Sequence, residues 1–256
     1  QGRRVALFIR HSERPPICPT DKEFGQHLGL TPRGVELAEA AGRRLAGIGD
    51  VRFSASPMTR CRLTAHHFGR GMGIDEPAVA DAAPLGVRGF YYEDPYAVQD
   101  IMRQRGYMAY MEEHLRNGTA LHSRPIGPAT AQLAEWLKAQ TATRLGVYVS
   151  HDIFIASFLT GLRMRTFTAE NWVGFLHGAA LVHAPDAGWT CYACVPDLSS
   201  HADSHPFVHC GFSMALLTLR TVSIQYGGPA VLDGVSLSIE PGDRACITGR
   251  NGEGKS

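Results

Sequence analysis

Residues 4–16 read Arg4-Val5-Ala6-Leu7-Phe8-Ile9-Arg10-His11-Ser12-Glu13-Arg14-Pro15-Pro16. The run 4–9 reads as a short buried strand, bounded by a polar run and then by two prolines. Folds of the α/β class present their chemistry in this way, as polar side chains just past the C-terminal end of a buried strand.

The same pattern recurs later in the chain. Leu145-Gly146-Val147-Tyr148-Val149-Ser150 reads as a second buried strand, and His151-Asp152 follows it. Between the two, residues 51–56 read as a strand broken by Pro57. A helix over 58–69 then carries Arg60 near its start. Thr31-Pro32 opens an earlier helix, with Thr31 as N-cap, Pro32 at the first helical position, and Leu37, Ala41 and Leu45 at four-residue spacing. Residues 71–100 are rich in Gly, Pro and Asp and read as an insertion or lid. Helices are expected over 101–116 and 129–140, and an apolar one over 153–162. Strands at 179–184 and 189–195 flank the turn 185–188. Residues 201–213 read as a linker. The pattern up to about residue 200 is βα units with a helical insertion, and therefore an α/β sandwich.

If the strands ending at Arg10-His11 and Ser150-His151 lie in one sheet, a single pocket collects His11, His151, Arg10, Arg60, Arg14 and Asp152. That inventory suits phosphoryl transfer. A phosphate dianion needs planar, permanently charged donors, and arginine supplies bidentate contacts. A neutral imidazole can attack phosphorus and carry the phosphoryl group. A carboxylic acid can protonate the departing alkoxide and then deprotonate water. The guanidinium groups neutralise the developing charge, so no metal or cofactor is expected.

Four motifs, Arg10-His11-Ser12-Glu13-Arg14-Pro15, Leu30-Thr31-Pro32-Arg33-Gly34, Ser56-Pro57-Met58-Thr59-Arg60-Cys61 and Ser150-His151-Asp152, occur in this order. Together they resemble the histidine phosphatase superfamily, with its phosphoglycerate mutase-like three-layer sandwich. The resemblance implies that His11 is the phosphorylated nucleophile. It implies that Arg10, Arg60 and His151 hold the phosphate, with Arg14 added in the acid-phosphatase branch, and that Asp152 is the proton donor. Glu93, in the middle segment, is the alternative donor by likeness to the mutase branch. One departure is Ser12, where the family has glycine; a left-handed backbone there would be strained. The implied activity is hydrolysis of a small-molecule phosphomonoester. Its alternatives are a mutase-type phosphotransferase and a non-catalytic phospho-ligand binder.

Composition narrows the remaining classes. The chain has 256 residues, is 44% hydrophobic, and balances 25 Lys and Arg against 24 Asp and Glu. No global charge therefore favours nucleic acid or an anionic membrane. No apolar run is long enough to span a bilayer, and the six cysteines do not form a disulfide scaffold in a chain of this length. The expected setting is cytoplasmic. Cys191 and Cys194 form a lone C-x-x-C on a strand, where their side chains point to opposite faces, so no zinc site is expected. Tyr91, Tyr92 and Tyr96 read as lid packing, and the cluster is a candidate contact for the organic part of a substrate.

From residue 214 the pattern changes. Residues 214–226 and 230–239 read as strands, and the chain ends Gly249-Arg250-Asn251-Gly252-Glu253-Gly254-Lys255-Ser256. The ending fits a phosphate-cradling loop. Residues 214–256 resemble the start of an ABC-type ATPase domain, most like the ABC-F group. The resemblance implies that Tyr226 stacks on adenine and that Gly249, Asn251, Gly252, Gly254, Lys255 and Ser256 are the remnant of a nucleotide site. The helix that follows such a loop is not in this sequence, so no ATP hydrolysis is expected from it. Met214 reads as the start of a second reading frame, and Ser256 as a cut through a second protein's nucleotide loop or through a real fusion.

Overall fold

A computed structural model describes residues 2–18, 21 and 25–194, together with the backbone of two strands at 217–224 and 232–239. The chain divides into two compact units, Gln1–Cys210 and Gly211–Ser256.

In the first unit β1 spans Arg4–Arg10, α1 Pro32–Arg43, β2 Val51–Ala55, α2 Thr59–Gly71 and β3 Val79–Asp81. The helices α3 (Pro95–Arg105), α4 (Tyr107–Asn117) and α5 (Ile126–Gln140) follow. The unit closes with β4 (Leu145–Ser150), α6 (Asp152–Gly161), β5 (Gly178–Ala184) and β6 (Gly188–Cys194). The strands form one sheet in the order β3-β2-β4-β1-β5-β6. β1, β2, β3 and β4 run parallel, and β5 and β6 are antiparallel at one side.

Side-chain alternation along β1 sends its residues to two separate cores. Ala6 and Phe8 join Tyr148 and Leu181 in the core that holds α3 to α6. Leu7 and Ile9 join Val147 and Val149 in the core that holds α1 and α2. Burial on both faces explains why β1 and β4 read as near-continuous apolar runs. The result is the expected three-layer α/β sandwich with a helical insertion.

Two local expectations change. The helix read over 101–116 is two helices, because Gly106 adopts φ 92° between them. That left-handed backbone favours glycine and turns the chain. The segment 71–100, read as an insertion or lid, contains the three-residue strand β3, which pairs with β2.

Thr31 caps α1 as read: its side chain accepts the Gly34 N–H at 2.9 Å. The Thr31 hydroxyl also donates to Glu13 at 2.7 Å, which fastens the start of α1 to the loop after β1.

The second unit shows β7 (Leu217–Ile224) and β8 (Leu232–Ile239), an antiparallel pair within the two segments read as strands. Tyr226, Gly249, Asn251, Gly252, Gly254, Lys255 and Ser256 lie outside the described residues. So does the segment 201–213.

Candidate active site

β1 and β4 are neighbours, in a register that pairs Arg10 with Ser150. The next residue on each strand is a histidine, and the two rings stand 5.7 Å apart, centroid to centroid. The backbone N–H of His11 donates to Ser150 O at 2.9 Å. On the other side of β4, the Ser56 N–H donates to Val149 O, which brings the end of β2 beside the same point. Three adjacent strand ends thus converge where the chain turns outward to both sides of the sheet, the usual position of a site in open α/β folds.

The tautomer of His11 follows from one contact. Its Nδ1 lies 2.7 Å from Ser12 O, and a carbonyl oxygen can only accept. Nδ1 therefore carries the hydrogen, and Nε2 keeps its lone pair. Burial first, and then the charges of Arg60 and Arg10, lower the His11 pKa to about 3. The imidazole is neutral and nucleophilic well into the acid range.

Ser12 is fully buried. Its N–H donates to Thr64 Oγ1 at 2.8 Å, and its hydroxyl donates to Gly34 O at 2.7 Å. It is not among the residues with positive φ. The strain anticipated for serine at this position does not arise.

Arg60 enters from the first turn of α2. It donates to Gly25 O at 2.7 Å and approaches His151 Nδ1 at 3.4 Å. His151 Nε2 lies 2.9 Å from Ser56 Oγ. Burial, followed by the charges of Arg60 and His11, holds the His151 pKa well below the ordinary histidine value. Arg14 is half-buried, lines the same cavity, and donates to Pro15 O at 2.8 Å. The Nε atoms of Arg10, Arg14 and Arg60 are buried and have no hydrogen-bond partner among the described residues.

Asp152 is the first residue of α6, and His151 occupies the cap position. One carboxylate oxygen accepts the Ile153 N–H at 3.0 Å; the other accepts the Trp172 indole N–H at 3.2 Å and pairs with Arg10 at 3.1 Å. Burial acts to raise the Asp152 pKa. Arg10, then His11 and the Trp172 N–H, outweigh it and hold the carboxyl at about 2.

Arg10, expected to hold the phosphate, contacts Asp152 and the loop that follows α6. It is absent from the cavity wall. It pairs with Asp152, donates to Val173 O, and lies under the Phe175 ring at 4.3 Å. Glu93 is exposed and does not line the cavity. Within the tyrosine cluster Tyr91 is buried in the core with its hydroxyl 3.0 Å from Thr130, whereas Tyr92 reaches the cavity wall. Cys191 and Cys194 pack on opposite sides of the sheet, one against each core.

Several contributors carry no motif. Trp172, Val173 and Phe175 come from the loop between α6 and β5, and Tyr107 from the start of α4. The Tyr107 hydroxyl is buried, and the residue lines the cavity. Burial and the Asp152 charge raise its pKa well above the usual tyrosine value. Among the described residues no helix is long and apolar enough to cross a membrane.

Comparison with known proteins gives two kinds of match. A model of the histidine phosphatase superfamily (branch 1) matches residues 7–83. Among solved structures, a mycobacterial glucosyl-3-phosphoglycerate phosphatase is 17% identical, covers 76% of this chain and 98% of its own, and superposes with a TM-score of 0.48. A phosphoglycerate mutase from Bacillus anthracis is 12% identical, with 75% and 92% covered and a TM-score of 0.48. A phosphoserine phosphatase from Entamoeba histolytica is 17% identical, with 74% and 94% covered and a TM-score of 0.48. Separately, the zinc import ATP-binding protein ZnuC of Jannaschia sp. (strain CCS1) is 44% identical over 43 residues, 17% of this chain. The chain spans 18% of the length of that relative.

Proposed function

We propose that the first unit is a histidine phosphatase that hydrolyses a phosphomonoester through a phosphohistidine at His11. The observation that carries this reading is the Nδ1–H contact to Ser12 O, which leaves a neutral Nε2 lone pair in a pocket with Arg14, Arg60 and His151. The superfamily match over residues 7–83 supports it.

In the first step His11 Nε2 attacks phosphorus and the ester P–O bond breaks. The leaving alkoxide takes a proton from Asp152. In the second step water attacks the phosphoryl group, its proton passes to the Asp152 carboxylate, and the P–N bond breaks to release inorganic phosphate. Arg14 and Arg60, with His151, hold the equatorial oxygens. The two guanidinium groups bind the spread charge of the transition state more strongly than that of the ground state.

The Arg10 pairing favours the ionised form of Asp152, yet the residue has to start the reaction protonated. The substrate itself supplies the change. A bound dianion draws on Arg14 and Arg60 and sets negative charge beside the carboxylate, which raises its pKa so that it takes up a proton from solvent. Asp152 lines the cavity and Glu93 does not, which favours Asp152 as the donor.

The reading is tested with a generic aryl phosphate. Hydrolysis that is blocked by vanadate and unaffected by EDTA supports it. A requirement for a divalent metal contradicts it, and phosphoryl transfer between two carbon positions without phosphate release supports a mutase. The binder alternative rested on strain at Ser12, and Ser12 is unstrained.

For the second unit, we infer likeness to the leading strands of an ABC-type ATP-binding domain. The 43-residue match supports this inference. Tyr226 and the Gly249–Ser256 loop would then face nucleotide. ATP hydrolysis that survives His11→Ala would show that the second unit has an activity of its own.

A further inference from the structure

The cavity that holds His11 extends far beyond the space a phosphate needs, to about 470 Å³. Pockets of this size take drug-sized organic groups. Away from Arg14 and Arg60 much of the wall is apolar or aromatic, with Met58, Val87, Tyr92, Val98, Met102 and Tyr107, and Gln99, Arg103 and Asp21 add polar groups to it. Val98 and Met102 lie one turn apart on α3 and so present one continuous apolar strip. Tyr107 opens α4, just past the Gly106 turn, and continues the strip toward Asp152.

Charge is sparse along this part of the wall. Arg103 is exposed and ion-paired with Asp100. Asp21 carries the opposite sign to Arg103 and accepts the Gly25 N–H at 2.9 Å. Among the described residues the arginines that line the cavity are the buried Arg60, the half-buried Arg14 and the exposed, ion-paired Arg103. A second anionic group on the substrate would therefore lose its hydration without gaining a dedicated partner.

Resting on the phosphatase reading, we propose that the substrate is the phosphomonoester of a bulky apolar alcohol, aliphatic or aromatic. The helical insertion α3–α4 and the segment before it recognise its organic part. A small polyanionic ester such as a phosphoglycerate fits the wall poorly. This is a statement about specificity, and the chemistry at phosphorus is unchanged by it.

The test uses the full chain and two matched series. One is n-alkyl phosphates of increasing chain length, read as kcat/KM. The other is n-alkylphosphonates of the same lengths, whose C–P bond is not hydrolysed, read as binding by calorimetry. Each added methylene is expected to improve both by about three- to fourfold until the cavity is filled. 3-Phosphoglycerate and phosphoserine are expected to give at least about tenfold lower kcat/KM than an alkyl ester of similar length. Val87→Asp, at a half-buried loop position, is expected to flatten the chain-length dependence while vanadate still binds, and vanadate binding reports that the pocket is folded. A flat or inverted series in both readouts overturns the proposal. A rising phosphonate series without ester turnover upholds the apolar chamber and removes the hydrolase reading instead.

Discussion

The carboxylate of Asp152 lies 3.1 Å from the guanidinium of Arg10, and Trp172 donates to the same carboxylate oxygen. This pairing aligns the carboxyl group and also keeps it ionised until a substrate arrives. A general acid held in this way acts only where the leaving group needs a proton. Asp152→Asn is therefore expected to slow hydrolysis of alkyl phosphates by about 10²–10⁴-fold. Cleavage of p-nitrophenyl phosphate, whose leaving group departs as an anion, is expected to stay within about tenfold of wild type. Steady-state kinetics on the two ester types reads this directly, and equal losses on both would remove Asp152 from the proton-transfer step.

The pH profile follows from His11. Its pKa is lowered to about 3, so the neutral nucleophile persists as pH falls. An unshifted histidine would instead lose nucleophilicity below about 6.5. The acid limb of kcat/KM for an aryl phosphate is expected below pH 4, once the ionisation of the substrate is allowed for. A limb near 6.5 would show that the imidazole is not held neutral by burial and by the flanking arginines.

Gly34 keeps the nucleophile loop in place by lacking a side chain. A Cβ there would meet Glu13 O at 2.1 Å, and Glu13 is two residues from His11. Because the obstacle is backbone, the loop has to move. Gly34→Ala is expected to cost about 1–3 kcal/mol of stability and to lower kcat by displacing His11. Ser12→Ala, which removes only the hydroxyl bond to Gly34 O, is expected to cost about 1 kcal/mol and to leave activity within a few-fold. Thermal unfolding and kcat measured on both variants separate the two effects.

Stability is also tied to pH at a residue far from the chemistry. His114 is fully buried, lies 3.0 Å from Ser123 Oγ, and has its pKa lowered by burial to about 4. The unfolded chain binds this proton more readily than the folded one. Stability is therefore complete above the ordinary histidine value and is lost as pH falls from about 6.5 toward 4, by up to about 3 kcal/mol from this group. His114→Gln is expected to reduce the pH slope of Tm across that window. A variant with an unchanged slope would show that His114 does not titrate out of its folded environment.

Much of the site was legible because its residues sit where strands end. Arg10-His11 and Ser150-His151-Asp152 follow two buried runs, and the register that pairs Arg10 with Ser150 converts that sequence pattern into a pocket. Arg60 was legible through the helix start after β2. Trp172, Val173 and Phe175 were not. They act through a loop whose return to β1 is set by the antiparallel pairing of β5 and has no local signature. The true station of Arg10, behind Asp152 and under Phe175, depends on the same loop. The split between α3 and α4 hung on one glycine with positive φ, and a helical period runs through such a glycine without interruption. Tyr91 and Tyr92 show the limit in another way. Adjacent tyrosines looked equivalent in the sequence, and the backbone sent one into the core and the other to the cavity wall.

The central claim is a covalent intermediate on His11 Nε2. The measurement that tests it most directly is rapid quenching of a single turnover into alkali, followed by mapping of the phosphorylated peptide. An acid-labile, alkali-stable phosphate is expected on the peptide that carries His11, formed and lost at rates that match turnover and absent in His11→Ala. Full turnover with no phosphopeptide, or undiminished turnover in His11→Ala, would contradict it.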